Sequence, residues 1–292
     1  VRAAMLRSRF AILTALFCLL AGAARAEAPV WIARAHGTTV VLFGSVHVLP
    51  QRIDWEPPRL KAAIAKADDL WFEIPLDDAS TDAAGRLART QGEQPAGQTL
   101  SAELSDKGRK KLAKVAKAVG VPVERLDGLK PWYAEILLSL FVYQQVGAGD
   151  QTGVERQLSH TAPASVRRRA FETAEEQIGF LAGAPLPDQV ASLEETLDEL
   201  ETGPASYEKL VTAWMAGDTH AIVKQALDPM MKQAPGAYRT LVTERNRRWV
   251  EVILKRLNEG GEAVVVVGVG HLVGPGGLPA LLRARGVAVE GP

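Results

Sequence analysis

Ala263-Val264-Val265-Val266-Val267-Gly268-Val269-Gly270-His271 is the stretch that decides the fold. An apolar, β-branched run bounded by Gly260-Gly261 and by further glycines reads as a strand buried on both faces. A second stretch repeats its form. Thr38 to Phe43 is β-branched and apolar, and it ends in Gly44-Ser45-Val46-His47. Both strands therefore run into a Gly-x-x-His, carrying His47 and His271. After the first, Pro57 to Lys66 predicts a helix, and Asp69 to Ile74 a short strand stopped by Pro75. Apolar strands separated by a helix form a βαβ unit, which implies a parallel sheet.

The middle of the chain is helical in pattern. Asp77 to Gln98 is polar and reads as a loop with weak helix. Ser105 can cap a helix to Val119, with Lys107, Arg109, Lys110, Lys111, Lys114 and Lys117 as its solvated face and Gly120 as its stop. Pro131 opens a helix to Val146. Val166 to Phe171 is a candidate strand, and Thr173 with Glu176 fits a capping box for a helix to Leu181. Pro187 to Met231 is mostly helical, and a long helix runs from Tyr238 to Leu257. Leu278 to Arg285 is a short helix, Gly286 its stop, and Val287 to Val289 an edge strand. The expected fold is α/β: a mixed, mostly parallel central sheet formed by N- and C-terminal segments. A helical region over about residues 100–235 caps it within one domain, 27–292.

Ligands in open parallel sheets bind beyond the carboxyl ends of strands. His47, Glu73 and His271 all fall there. A carboxylate such as Glu73 in an apolar strand needs a partner or a metal. Glu172 follows the third candidate strand. On the long helix, Arg245 and Asn246 lie beside apolar stripes, and a buried Arg245 would seek Glu73 or Glu172. Two imidazoles and a carboxylate suit Mn, Co, Zn or Fe with a position open for water. The same groups also suit a metal-free ligand site. His36, His160 and His220 lack such a context.

Arg2, Arg7 and Arg9 precede an apolar stretch, Phe10 to Leu20, and Ala24-Arg25-Ala26 fits an export-signal cleavage site after Ala26. Cleavage leaves 30 basic groups against 34 acidic ones and removes Cys18, the only cysteine. The mature chain is then periplasmic and without disulfides, the membrane being met only through the export signal before cleavage. Its charge balance argues against nucleic acid.

The residues resemble the TraB/GumN family (TraB/PrgY/GumN). The resemblance rests on Trp31 with Leu42 to His47, Phe72-Glu73, Leu129-Lys130-Pro131-Trp132, Gly153-Val154, Phe171-Glu172-Thr173 with Glu176 and Gln177, Glu244-Arg245-Asn246, and Val267 to Gly274 with Gly276-Gly277-Leu278. It implies a relationship to the animal TIKI proteins, metal-dependent proteases, with His47, Glu73 and His271 as the metal and catalytic set. Arg245, Asn246 and Glu172 would support them. A divalent metal (Mn, Co or Zn) and a peptide substrate follow from that reading. The alternative is a non-enzymatic envelope protein that binds a peptide, haem or polysaccharide-related ligand in the same cleft. The chain departs from the family in carrying Glu155 where Asp is usual, so Glu155 receives no role, and Ser45 replaces the commoner Thr.

Overall fold

The computed structural model describes residues 27–292 apart from 52, 150 and 151. The expected export signal, with Cys18 and the expected cleavage site, lies outside the described residues. Eight strands are present among them: β1 Val30–Ala35, β2 Thr38–Ser45, β3 Leu49–Pro50, β4 Asp69–Phe72, β5 Ala148–Gly149, β6 Arg167–Ala170, β7 Gly261–Gly268 and β8 Ala288–Glu290. The helices of seven residues or more are α1 Pro58–Ile64, α2 Asp78–Gly92, α3 Asp106–Val119, α4 Pro131–Gln144, α5 Val154–Thr161, α6 Ala174–Ala182, α7 Leu186–Leu200, α8 Ala205–Met215, α9 Glu244–Arg256 and α10 Leu278–Ala284.

Six strands form the main sheet in the order β6-β4-β7-β2-β1-β8. The deciding stretch sits at its heart. β7 pairs in parallel with β2 on one side, Gly44 facing Val267 and Ser45 facing Gly268. On the other side it pairs in parallel with β4, Asp69 facing Ala263. The N- and C-terminal segments thus make one sheet. The βαβ unit is present with one refinement: β7 is inserted between β2 and β4. Valines 264–267 are all buried because this strand has neighbours on both edges and cover on both faces. β6 adds a parallel edge, and its three arginines are exposed.

Three expectations change. β1, absent from the sequence reading, pairs antiparallel with β2 through a two-residue turn at His36 and Gly37, with φ of 49° and 76°. Positive φ at both positions is the hairpin geometry that matches strand twist. Asp77 to Gln98 is mostly helix, with only the cap residue Asp77 and Glu93 to Gln98 outside it. Asp77 accepts from the Ser80 backbone N–H and starts the 15-residue α2, so one cap outweighs a weakly helical composition. Lys111 is not on a solvated face. It is buried between α3 and α7 and pairs with Asp198. Elsewhere the caps are as expected: Ser105 on α3, Gly120 as its left-handed stop, and a complete capping box at Thr173 and Glu176.

The core under the sheet draws on Phe43, Trp55, Trp214, Trp249 and the β7 valines. A second apolar cluster, including Leu112, Leu138, Leu193 and Leu197, packs α3, α4 and α7 together. The expected long C-terminal helix is interrupted. Arg239–Thr243 forms a π turn directly before α9, a feature that recurs at functional sites. Among the described residues, no helix is long and apolar enough to cross a membrane.

Candidate functional site

Each of the four parallel strands ends in one polar residue of a single cluster. β6 leads to Glu172, β4 to Glu73, β7 to His271 and β2 to His47. The strands share their direction, so all four groups emerge at one edge of the sheet. α9 crosses that edge and contributes Arg245 and Asn246, both buried.

Arg245 is the hub. Its Nη2 donates to Glu73 Oε2 at 2.6 Å and to Glu172 Oε2 at 2.8 Å, and its Nε donates to Glu172 at 3.0 Å. Nη1 donates to Leu241 O, a carbonyl inside the π turn, at 3.2 Å. Trp249 lies beneath the guanidinium at 4.6 Å and donates its indole N–H to Glu172 at 3.0 Å. Glu172 is thereby committed to holding Arg245 and Trp249.

His271 is fixed at both ends. Asn246 Nδ2 donates to His271 O at 3.2 Å and Gly276 O at 2.9 Å, which sets the amide so that its Oδ1 accepts from His271 Nδ1 at 2.7 Å. This network assigns the proton to Nδ1 and leaves the Nε2 lone pair facing Arg245 Nη1 at 3.3 Å and Glu73 Oε1 at 3.9 Å. Burial pushes the imidazole down to about 3, so it stays neutral. Burial works to raise the Glu73 carboxyl, but Arg245 and the Gly268 N–H, donating at 2.8 Å, hold it well below the usual range. Gln177 on α6 adds a bond to Glu73 Oε2 at 3.2 Å.

His47 stands at the rim, its side chain 65% exposed. Its Nδ1 lies 2.6 Å from Glu155 Oε1, which also accepts from Ser45 Oγ at 2.5 Å. Glu155 therefore has a structural place that the sequence reading denied it. Buried in the first turn of α5, it orients His47 and pushes its imidazole up to about 9. Opposition from burial notwithstanding, His47 holds the Glu155 carboxyl down. With Nδ1 taken, His47 Nε2 turns inward. It and Glu73 Oε1 lie 3.2 and 3.3 Å from the point that a Cβ on Gly268 would occupy, so only glycine fits there without displacing them. Gly44 is more tightly constrained, its missing Cβ falling 2.7 Å from Val269.

A cavity of about 270 Å³ opens in front of this edge, lined by His47, Glu73, Glu155, Gln177, Phe72 and Leu76 among others. The structure thus brings together His47, Glu73, Glu172, Arg245, Asn246 and His271. His160 and His220 are exposed elsewhere, and His36 is in the β1–β2 turn. The sequence reading missed Glu155 as the partner of His47, and it missed Trp249. Among the described residues, no group of three or more His, Cys, Asp or Glu side chains is arranged to hold a metal ion.

The chain belongs to the TraB/PrgY/gumN family, which it matches over residues 29–291. It is similar to "Uncharacterized protein YbaP" of Escherichia coli (strain K12), 26% identical over 246 residues, covering 83% of this chain and 87% of that one. The protein of the same name from Shigella flexneri matches with the same identity and coverage. No solved structure matches the chain.

Proposed function

We propose that the chain is an exported, periplasmic metal-dependent hydrolase acting on peptides. His47 Nε2, His271 Nε2 and Glu73 Oε1 would hold one divalent cation, Mn, Co or Zn. The observation that carries this reading is the pinning of both imidazoles through Nδ1, by Glu155 and by Asn246, with their Nε2 atoms directed toward Glu73 Oε1. Imidazoles that ligate metals are oriented in this way by a carboxylate or an amide on the other nitrogen. Charge supports it too. Three carboxylates, Glu73, Glu155 and Glu172, are buried at this edge against one buried guanidinium and the His47 imidazolium, whose proton a cation at Nε2 would displace. A bound divalent cation would polarise a carbonyl and acidify a water. The chain's own groups have separable tasks. Glu73 Oε1 accepts a proton or completes the ligand set. Arg245, anchored on Glu172, keeps Glu73 ionised and presents positive charge to a developing oxyanion. The cavity before His47 admits the substrate. The relationship to TIKI-type metal-dependent proteases, implied by the sequence blocks, is part of the same proposal.

The deciding experiment is turnover of a peptide library by the mature chain with added Mn, Co or Zn. Turnover that is lost in Glu73→Gln supports the reading. No turnover with any of the three metals contradicts it. One observation favours a second reading, a non-enzymatic envelope binder. Arg245 already satisfies both Glu73 and the His271 lone pair, so the cluster is complete as a hydrogen-bonded network. A tight complex with a peptide or haem without turnover would select that alternative.

A further inference from the structure

The cleft at His47 contains a charge that has no part in the metal site. Arg156 lines it beside His47, Glu73 and Glu155. Among the described residues of that lining, it is the one with a fixed positive charge. Helix stability does not explain the residue. Arg156 lies in the first turn of α5, whose positive end favours an anion and disfavours a cation. An ion pair explains little more. Nη2 meets Asp78 at 3.4 Å, but the Asp78 side chain is 86% exposed, and such pairs stabilise weakly. Nη1 meets Thr81 Oγ1 at 3.5 Å. Thr81 also lines the cleft, so the guanidinium lies where the cleft meets the start of α2. The Arg156 side chain is 20% exposed, which leaves it accessible yet partly sheltered from water. Phe72, Ile74 and Leu76 give the cleft an apolar surface. Its carboxylates are already matched, Glu73 by Arg245 and Glu155 by His47. A cavity of about 270 Å³ is close to the smallest ligand pockets, about 300 Å³, and takes about one or two residues rather than a long stretch.

We infer that Arg156 is the specificity residue of the cleft: it binds a carboxylate of the peptide, while a neighbouring apolar side chain packs on Phe72, Ile74 and Leu76. A guanidinium and a carboxylate form two parallel N–H···O bonds, shorter and stronger than the long contact to Asp78. The substrate therefore displaces Asp78 from Arg156. Two sources of the carboxylate share this chemistry, the free carboxyl terminus of a peptide and an acidic side chain within it. The inference deepens the hydrolase reading and rests on it only for the cutting of a bond. Binding of the carboxylate needs neither metal nor turnover.

Calorimetric titration of the chain, residues 27–292, tests it with three probes: acetyl-Ala-Leu as the free acid, the same peptide as its carboxamide, and acetyl-Glu-Leu carboxamide. A carboxylate probe should bind about tenfold more tightly than the plain carboxamide, the scale of a charged hydrogen bond. Preference for the free acid assigns a carboxyl terminus, and preference for the Glu peptide assigns an acidic side chain. Arg156→Gln should bring the ratio to about one or below, because Glu73 and Glu155 remain. Arg156→Lys should keep part of it. The ratio is taken within each variant, so a general loss of binding does not imitate the effect. Equal binding of all three probes, no saturable binding of any, or a ratio that survives Arg156→Gln overturns the inference. Turnover with added Mn, Co or Zn is read separately. A carboxylate preference without turnover keeps the Arg156 site and removes the hydrolase, and turnover without that preference does the reverse.

Discussion

α9 carries two buried arginines, one at each end of β4, and they are built differently. At the amino end, Arg256 pairs with Asp69 at 3.0 Å and donates to the carbonyls of Gly260 and Glu262. Arg167 and Arg169 also reach Asp69. Three guanidiniums serve one buried carboxylate, and each of these donors ends on an acceptor of the fold. At the carboxyl end the balance reverses. Arg245 serves two buried carboxylates, and Glu155 lies close by on His47. Neutral His271 and a cavity complete the group. The same helix and the same strand thus end in a closed ion cluster on one side and an anion-rich, open one on the other. Only the second has charge left for a cation and space for a substrate.

The difference can be broken by substitution. Arg245→Met leaves Glu73 and Glu172 buried without their shared partner, and should cost about 3–5 kcal/mol by urea unfolding. Asp69→Ala should cost less, about 2 kcal/mol, because Arg256 keeps two carbonyls and the other arginines reach water. An equal or larger loss for Asp69→Ala would mean that the two ends are energetically alike. Gly268→Ala should cost about 1–2 kcal/mol through crowding of His47 Nε2 and Glu73 Oε1. It should also weaken metal binding, which the Asp69 variant should not.

Acid and alkali sharpen the comparison further, the His47 effect being reduced by solvent screening because that side chain stands exposed at the rim. His271 has its folded value lowered from 6.5 to about 3, so its contribution is full above 6.5 and is lost as pH falls toward 3. His47 has its folded value raised from 6.5 to about 9, so its contribution is full below 6.5 and is lost as pH rises through 9. The urea midpoint of the metal-free chain should therefore peak near pH 6.5. His47→Gln should flatten the alkaline limb alone. An unchanged alkaline limb would show that Glu155 does not hold His47 in solution.

Much of this was legible because strands buried on both faces announce themselves. The β7 valines and the Thr38–Phe43 run fixed the centre of the sheet, and the polar residue after each strand then had to lie at one edge. Arg245 and Asn246 were readable as polar residues beside apolar stripes. What was hidden depended on contacts distant in sequence. Glu155 meets His47 across 108 residues, and nothing in Gly153-Val154-Glu155 announces that the carboxylate is buried. β1 escaped although Gly37, at positive φ, was a cue to its turn. α2 escaped because a single cap, Asp77, decides it. Trp249 was taken only as part of an apolar stripe, since its indole bond to Glu172 needs the tertiary fold.

The most direct test is calorimetric titration of the metal-free chain, residues 27–292, with Mn, Co and Zn, beside the His47→Ala and His271→Ala variants and their double. The account predicts about one site per chain for at least one of these metals, weakened about tenfold or more in each single variant and absent from the double. Equal binding by the double variant, or no binding by the unaltered chain, would contradict it.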